Sequence, residues 1–220
     1  QKEYNQINFI GYNYGQPIPD LSEYDKVIMC DVSFSKNVMD SLKSKLRSNF
    51  VWIDHHISAI NEMQYTNNRD SSYCAGLRDI KFAACELTWK YFFPNDPMPE
   101  IVRLLGRYDC FGHKGTGEEQ KVLEFQYGAR AFIKDYSGAY SFLVEELTER
   151  TSSIVDRLHM QGLSIYQYLC TEAIQAYKKG FEIMLSEITS IEDGAVTSGR
   201  IRKFICINKE RFNPINFGID

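Results

Sequence analysis

Apolar residues along the first half of the chain fall in short runs rather than long ones. Lys26–Cys30 (KVIMC) is apolar and followed at once by Asp31, and Phe50–Ile53 (FVWI) is followed at once by Asp54. Short continuous apolar runs of this kind predict buried strands of a parallel sheet. Between them, Ser33-Phe34-Ser35 offers an N-cap, and Val38, Leu42 and Leu46 give Asn37–Arg47 helical spacing. Strand, helix and strand in this order form a βαβ unit with a right-handed crossover. An earlier run, Ile7–Gly11, predicts a further short strand, and Gly15–Pro19 is a chain break.

The second half changes period. Helical spacing covers Ile80–Phe93, where Pro94 stops it, then Pro99–Tyr108, Glu118–Ile133, Gly138–Leu147 and a long stretch, Ser152–Ile188, in which Gly162 and Gly180 are potential interruptions. Glu192-Asp193-Gly194 signals a turn, and Arg200–Asn208 returns to strand character. The expected architecture is therefore α/β, with a parallel sheet flanked by helices, a helix-rich second half and the start of a small second α/β domain. The expected organisation is an α/β domain over 1–150, a connecting helix over 151–188 and the beginning of a second domain over 189–220.

Composition narrows the function classes. The formal charge of −4 argues against a domain that holds long DNA by bulk charge, yet leaves room for a small phosphorylated substrate held through a metal. No apolar run reaches the length of a membrane span. The six cysteines, Cys30, Cys74, Cys85, Cys110, Cys170 and Cys206, are scattered without a close pair. Free thiols in a reducing compartment account for them more simply than three disulfides, so a cytoplasmic location is expected. The chain opens Gln1-Lys2-Glu3 without Met, which reads as a processed or truncated product.

Parallel strands end on one edge, and ligands of open α/β sheets bind there. Asp31 and the tripeptide Asp54-His55-His56 both follow strand ends. Adjacent histidines after a strand point in different directions, so one can ligate a metal while the other faces a substrate. Carboxylate and imidazole donors suit Mn²⁺, Fe²⁺, Co²⁺ or Zn²⁺. Asp109, in Arg107-Tyr108-Asp109-Cys110-Phe111, is a third acid able to close the site. The competing reading of Asp-His-His is a solvated loop.

Strand-Asp (Val27–Asp31), strand-Asp-His-His (Val51–His56) and the isolated Asp109 together resemble three successive motifs of the DHH phosphoesterases, which include RecJ-type nucleases, nano-RNA oligoribonucleases, cyclic-dinucleotide phosphodiesterases, exopolyphosphatases and family II pyrophosphatases. Phe82-Ala83-Ala84-Cys85-Glu86-Leu87 is similar to the helix that follows Asp-His-His in the oligoribonuclease-like branch. The resemblance covers roughly residues 5–185. It implies that Asp31, His55 and Asp109 are metal ligands, with Asp31 bridging two ions. His56 would face the scissile phosphate, and Asp54 would orient the histidines. It implies hydrolysis of a short oligonucleotide or nucleotide at two divalent ions, Mn²⁺ above all. Exopolyphosphatase or pyrophosphatase activity, a non-catalytic binding module, and an unrelated mononuclear metal hydrolase at Asp31, His55 and Asp109 are the alternatives.

The resemblance is incomplete. No His-x-Asp-x-Asp-Gly string opens the chain and no Gly-Gly-Gly-His loop closes it. The expectation is a fragment that is weak or inactive alone. A homodimer is the base-rate expectation for a soluble enzyme.

Other residues carry weaker signals. His113, in Phe111-Gly112-His113-Lys114-Gly115, and Arg107 are candidate substrate contacts, against a solvated glycine-rich loop for His113 and surface ion pairing for Arg107. Arg69, Arg78 and Arg103 are further phosphate candidates with the same alternative. Tyr65, Tyr73 and Tyr108 either stack on a base or pack in the core. Glu86 and His159 read as structural. The basic run Arg200, Arg202, Lys203, Lys209 and Arg211 either guides an anionic substrate or belongs to an ordinary amphipathic strand.

Overall fold

The computed structural model describes residues 7–66, 73–149, 153–192 and 195–206. The fold is mixed α/β and mostly helical. Its elements in chain order are β1 (Val27–Cys30), α1 (Lys36–Leu46), β2 (Phe50–Ile53), α2 (Ile57–Met63), α3 (Ala84–Phe92), α4 (Glu100–Asp109), α5 (Glu119–Phe132), α6 (Tyr136–Glu149), α7 (Ser153–Lys178), β3 (Phe181–Glu192) and β4 (Ala195–Cys206). The chain divides into two compact units, Gln1–Gly162 and Leu163–Asp220, with the division inside α7.

In the first unit, β1 and β2 pair in parallel, Val27 opposite Phe50 through Cys30 opposite Ile53. A third segment joins the far side of β2 through parallel bridges, Val51 to Ala75 and Asp54 to Arg78. It comes close because Gly76 has φ +114° and no side chain. A Cβ there would collide with the Trp52 carbonyl. β2 is thus the middle strand and is buried on both faces. Phe50 and Trp52 join a core with Val27, Met29, Met39 and Met63, while Val51 and Ile53 pack with Ala75 and Leu87 on the other side. Helix α1 starts at Ser35, whose carbonyl accepts the first helical bonds but whose hydroxyl makes no capping bond.

The helices form their own core, where Leu104, Val122, Phe125, Ile154 and Leu158 meet. Helices α5 and α7 touch backbone to backbone at Gly128 and Gly162. A Cβ at Gly128 would strike the Leu158 carbonyl, and one at Gly162 the Glu124 carbonyl. Gly162 therefore does not interrupt α7; it lets the helices cross. The same crossing carries a part-buried pair, His159 Nε2 to the buried Glu124 Oε2 at 2.6 Å, which fits the structural reading of His159.

Three expected elements differ. Ile7–Gly11 forms no strand. Its Ile7, Phe9 and Ile10 side chains are exposed, and Phe9 stacks on Tyr136. Helix α3 starts at Ala84 rather than Ile80, because Asp79 Oδ1 accepts the Lys81 N–H and holds a turn. The long helix stops at Lys178 rather than Ile188, with Gly180 N–H bonded to the Tyr177 carbonyl. From Phe181 the chain is β3, which pairs antiparallel with β4 in the second unit. Phe181, Ile183 and Leu185 recur at every second position, with Glu182, Met184 and Ser186 between or after them, and this period of 2 outweighs the apparent helical one. Ile207, Asn208, Lys209 and Arg211 lie outside the described residues, as does Asp193-Gly194. No described helix is long and apolar enough to cross a membrane.

Arg103 ties α4 to α5, bonding Glu100 at 2.6 and 2.7 Å and Glu118 at 2.8 and 3.1 Å. The guanidinium holds both carboxylates below their ordinary pKa. Their stabilising contribution is then complete above the unfolded value and disappears as pH falls through the lowered folded values. Between about pH 5 and pH 3 the wild-type melting temperature should fall more steeply than that of Arg103→Met, measured by circular dichroism. Equal slopes would show that the cluster adds nothing. At the helix crossing, Gly162→Ala should cost roughly 3 kcal/mol by forcing the two backbones apart. Gly117→Ala, with open space at its Cβ, should leave denaturant unfolding nearly unchanged.

Candidate metal centre

Asp31 leaves β1 with φ +65°, a left-handed conformation that aspartate tolerates better than most residues. Its N–H still bonds the Ile53 carbonyl at 3.0 Å, so the pairing of β1 with β2 runs one step past the strand. Asp31 and Asp54 thereby share one sheet edge, as the βαβ reading expects. Trp52 Nε1 donates to the Val32 carbonyl at 3.1 Å and secures the chain just after Asp31.

Asp54 is wholly buried. Its Oδ1 accepts the His55 N–H at 2.7 Å, the His56 N–H at 3.1 Å and His56 Nδ1 at 2.8 Å. Its Oδ2 is buried with no hydrogen-bond partner. The carboxylate thus fixes the turn out of β2 and the ring of His56, whose Nε2 lies on the opposite side from Asp54.

His55 turns the other way. Its Nε2 lies 3.2 Å from Asp31 Oδ1 and 3.3 Å from Asp109 Oδ2. Asp109 is the last residue of α4. That helix is set against α3 by Gly106, where a Cβ would run into the Glu86 side chain. Glu86 itself accepts the Ala83 N–H at 3.0 Å, so it caps α3 and has the structural role expected of it. Asp31 and Asp109 are each about half exposed, with side-chain exposures of 51% and 49%, so they remain open to a ligand while converging on one imidazole.

The electrostatics express this crowding. Burial raises the Asp31 pKa, the Asp109 charge raises it further, and His55 and His56 pull it down. Burial lowers His56, but its hydrogen bond to Asp54 and the charges of Asp54, Asp31 and Asp109 outweigh that, and the net shift is upward. Two overlapping groups of ligand atoms lie within 4.8 Å of one another: Asp31, His55 and His56, and His55, Asp109 and Cys110.

Cys110 is the residue sequence reasoning missed. Its Sγ is 3.4 Å from His55 Nδ1. Burial, then the charge of Asp109, pushes the thiol up to about 11, so it is a neutral neighbour rather than a thiolate. Metal ligation through Nε2 would require the proton on Nδ1, the nitrogen that faces this sulfur. Adjacency to Asp109 was the available signal.

The remaining candidates are placed elsewhere. His113 is buried, with Nδ1 bonded to the Arg107 carbonyl at 2.9 Å and its ring stacked on Tyr108, so its loop is packed and not solvated as favoured. Arg107 lies over Gly112, with Nε 3.8 Å from Glu118. Arg103 is engaged with acids as described. Arg78 donates to the carbonyls of Trp52, Ala75 and Cys74, which ties the third sheet segment to β2. Tyr65 donates to Asp40 at 2.7 Å and packs edge-on against Trp52. Arg69 lies outside the described residues. Cys30, Cys74, Cys85, Cys110 and Cys170 are free thiols.

No family model matches the chain, and no solved structure matches it. The chain is similar to the uncharacterized protein R106 of Acanthamoeba polyphaga mimivirus, with 26% identity over 138 residues, or 63% of this chain. It spans 30% of the length of that relative.

Proposed function

We propose that Asp31, His55 and Asp109 hold a divalent cation, Mn²⁺ by donor type, and that the site hydrolyses phosphoesters in the manner of the DHH phosphoesterases it resembles. The observation that carries this is the approach of two carboxylates to one imidazole nitrogen at 3.2 and 3.3 Å. Burial and then the Asp109 charge raise the Asp31 pKa, and a cation between such donors would remove that cost. The residues present fit one ion; Asp31 is the ligand that a second ion would share.

When bound, such an ion polarises a phosphoryl oxygen and lowers the pKa of a bound water. The chain's own residues supply the rest. His55 is held by Cys110 on one nitrogen and presents the other to the acids. His56, locked through Nδ1 by Asp54, presents Nε2 toward the open side, where it can donate to a phosphate oxygen. Asp54 touches neither substrate nor metal in this arrangement and is a positioning residue.

Short oligonucleotides or nucleotides are the substrates the resemblance supports, and the net negative charge is consistent with small ligands rather than long DNA. The test is metal content together with Mn²⁺-dependent cleavage of a short RNA by the full-length protein. Asp31→Ala and His55→Ala should each abolish both. Asp54→Ala should retain the ligands but weaken Mn²⁺ binding about 10- to 100-fold, as loss of an orienting partner does. Cleavage of polyphosphate but not RNA would move the activity to the exopolyphosphatase alternative. Metal binding without any hydrolysis would favour a binding module, and an absence of metal binding would sink the proposal.

A further inference from the structure

A groove of about 760 Å³ opens beside the metal cluster within the first unit, and Asp31 and Asp109 form part of its lining. The rest of its wall is mixed. Trp89, Phe93 and Tyr140 line it together with aliphatic side chains such as Leu105 and Val144. Helices α4 and α5 add Tyr108, Gln126 and Arg130. An apolar body with a few placed polar groups is the make-up of a small-molecule site.

Gln126 is the unsatisfied member of this wall. Its Oε1 is buried with no hydrogen-bond partner, and no bond to its amide nitrogen occurs among the described residues. An acceptor in that state is costly, since it has lost water and gained no donor. The last bond of a glutamine is a broad two-fold rotor, so half a turn exchanges the oxygen with the nitrogen. The half-buried side chain can thus offer a groove ligand an acceptor and a donor side by side.

The groups around it suit a flat, anionic ligand. Trp89 and Phe93 stack on each other with ring centroids 4.5 Å apart, and Tyr140 is 69% exposed. Aromatic faces of this kind take a planar ring by stacking. The Arg130 guanidinium lies 5.2 Å from the centre of the Tyr108 ring, and no carboxylate pairs with it among the described residues. That leaves in the groove a cation not spent on an internal acid.

We infer that this groove is the base subsite of the nucleotide, and that the Gln126 amide selects a base whose edge carries an amine beside a ring nitrogen, as adenine does. Oε1 accepts from the amine and Nε2 donates to the ring nitrogen, the two-bond pairing that glutamine makes with adenine. The inference rests on the metal-centred reading for the phosphate, which lies at the Asp31–Asp109 end, and it names the base that reading leaves open.

The experiment is calorimetric titration of the full-length protein with adenosine monophosphate and with purine riboside monophosphate, which lacks only the amine. Adenosine monophosphate should bind about tenfold tighter, the worth of one hydrogen bond to an otherwise sealed acceptor. Gln126→Met keeps the length of the side chain and removes the acceptor. In that variant the two ligands should bind alike, near the weaker of the two wild-type Kd values. Equal affinities in the unmodified protein overturn the inference, and so does a preference for the amine that persists in Gln126→Met. The comparison on the unmodified protein decides the matter even where the variant fails to fold.

The same pair without phosphate, adenosine and purine riboside, separates this inference from the reading it rests on. Preference for adenosine needs only the groove, whereas Mn²⁺ should tighten adenosine monophosphate and leave adenosine unchanged. Preference for the amine with no effect of Mn²⁺ would uphold the groove and count against the metal-centred reading. An effect of Mn²⁺ without that preference would do the reverse.

Discussion

One oxygen of a fully buried carboxylate organises the site. Asp54 Oδ1 accepts two consecutive backbone N–H groups and a ring nitrogen. A buried acid is costly unless hydrogen bonds compensate it, and the compensation here dictates the path of the chain. The two N–H groups force the turn that sends His55 toward Asp31 and Asp109. The ring bond holds His56 against Asp54, with its Nδ1 also 3.7 Å from Asp31 Oδ1. Two adjacent imidazoles therefore have different surroundings, one among acids and a sulfur, the other half open to solvent. Removing the carboxylate would release both at once.

The burial of Asp54 depends in turn on β2 being the middle strand. A four-residue strand with alternating side chains in two cores has little freedom to shift, since a one-residue slip would exchange Phe50 and Trp52 with Val51 and Ile53. Gly76 brings the third segment against its edge, and Arg78 fastens that segment through backbone carbonyls. Sheet packing is thus converted into positional accuracy for the residue just beyond the strand. Helix α4 supplies the remaining acid, placed by the contact of Gly106 with Glu86 and by the Arg103 cluster.

Much of this was legible because it is local. A short apolar run followed by an acid gave β1 with Asp31 and β2 with Asp54, and the spacing between them gave α1. Asp109 was legible only through its place in a motif, since nothing in its own neighbourhood marks it as facing a sheet edge. Cys110 was overlooked for the opposite reason: cysteine was weighed for pairing and not as a neighbour to histidine. Ile7–Gly11 has strand composition, but a strand also needs an edge to pair with, and sequence does not reveal edges. Phe181–Glu192 followed a long helix without a proline, and its alternation was absorbed into the preceding period.

The position of Asp109 at the last residue of α4 has a wider effect. Aligned peptide dipoles leave partial negative charge at that end, where an anionic side chain is unfavourable and a positive charge is favourable. At the other end of the same helix, Glu146 supplies the negative charge that the free N–H groups favour. The helix is electrostatically satisfied at its start, while at its finish Arg107 in the last turn suits the dipole and Asp109 does not. A cation held by Asp109 would offset that unfavourable end charge, so such binding and the order of the last turn of α4 would be thermodynamically linked.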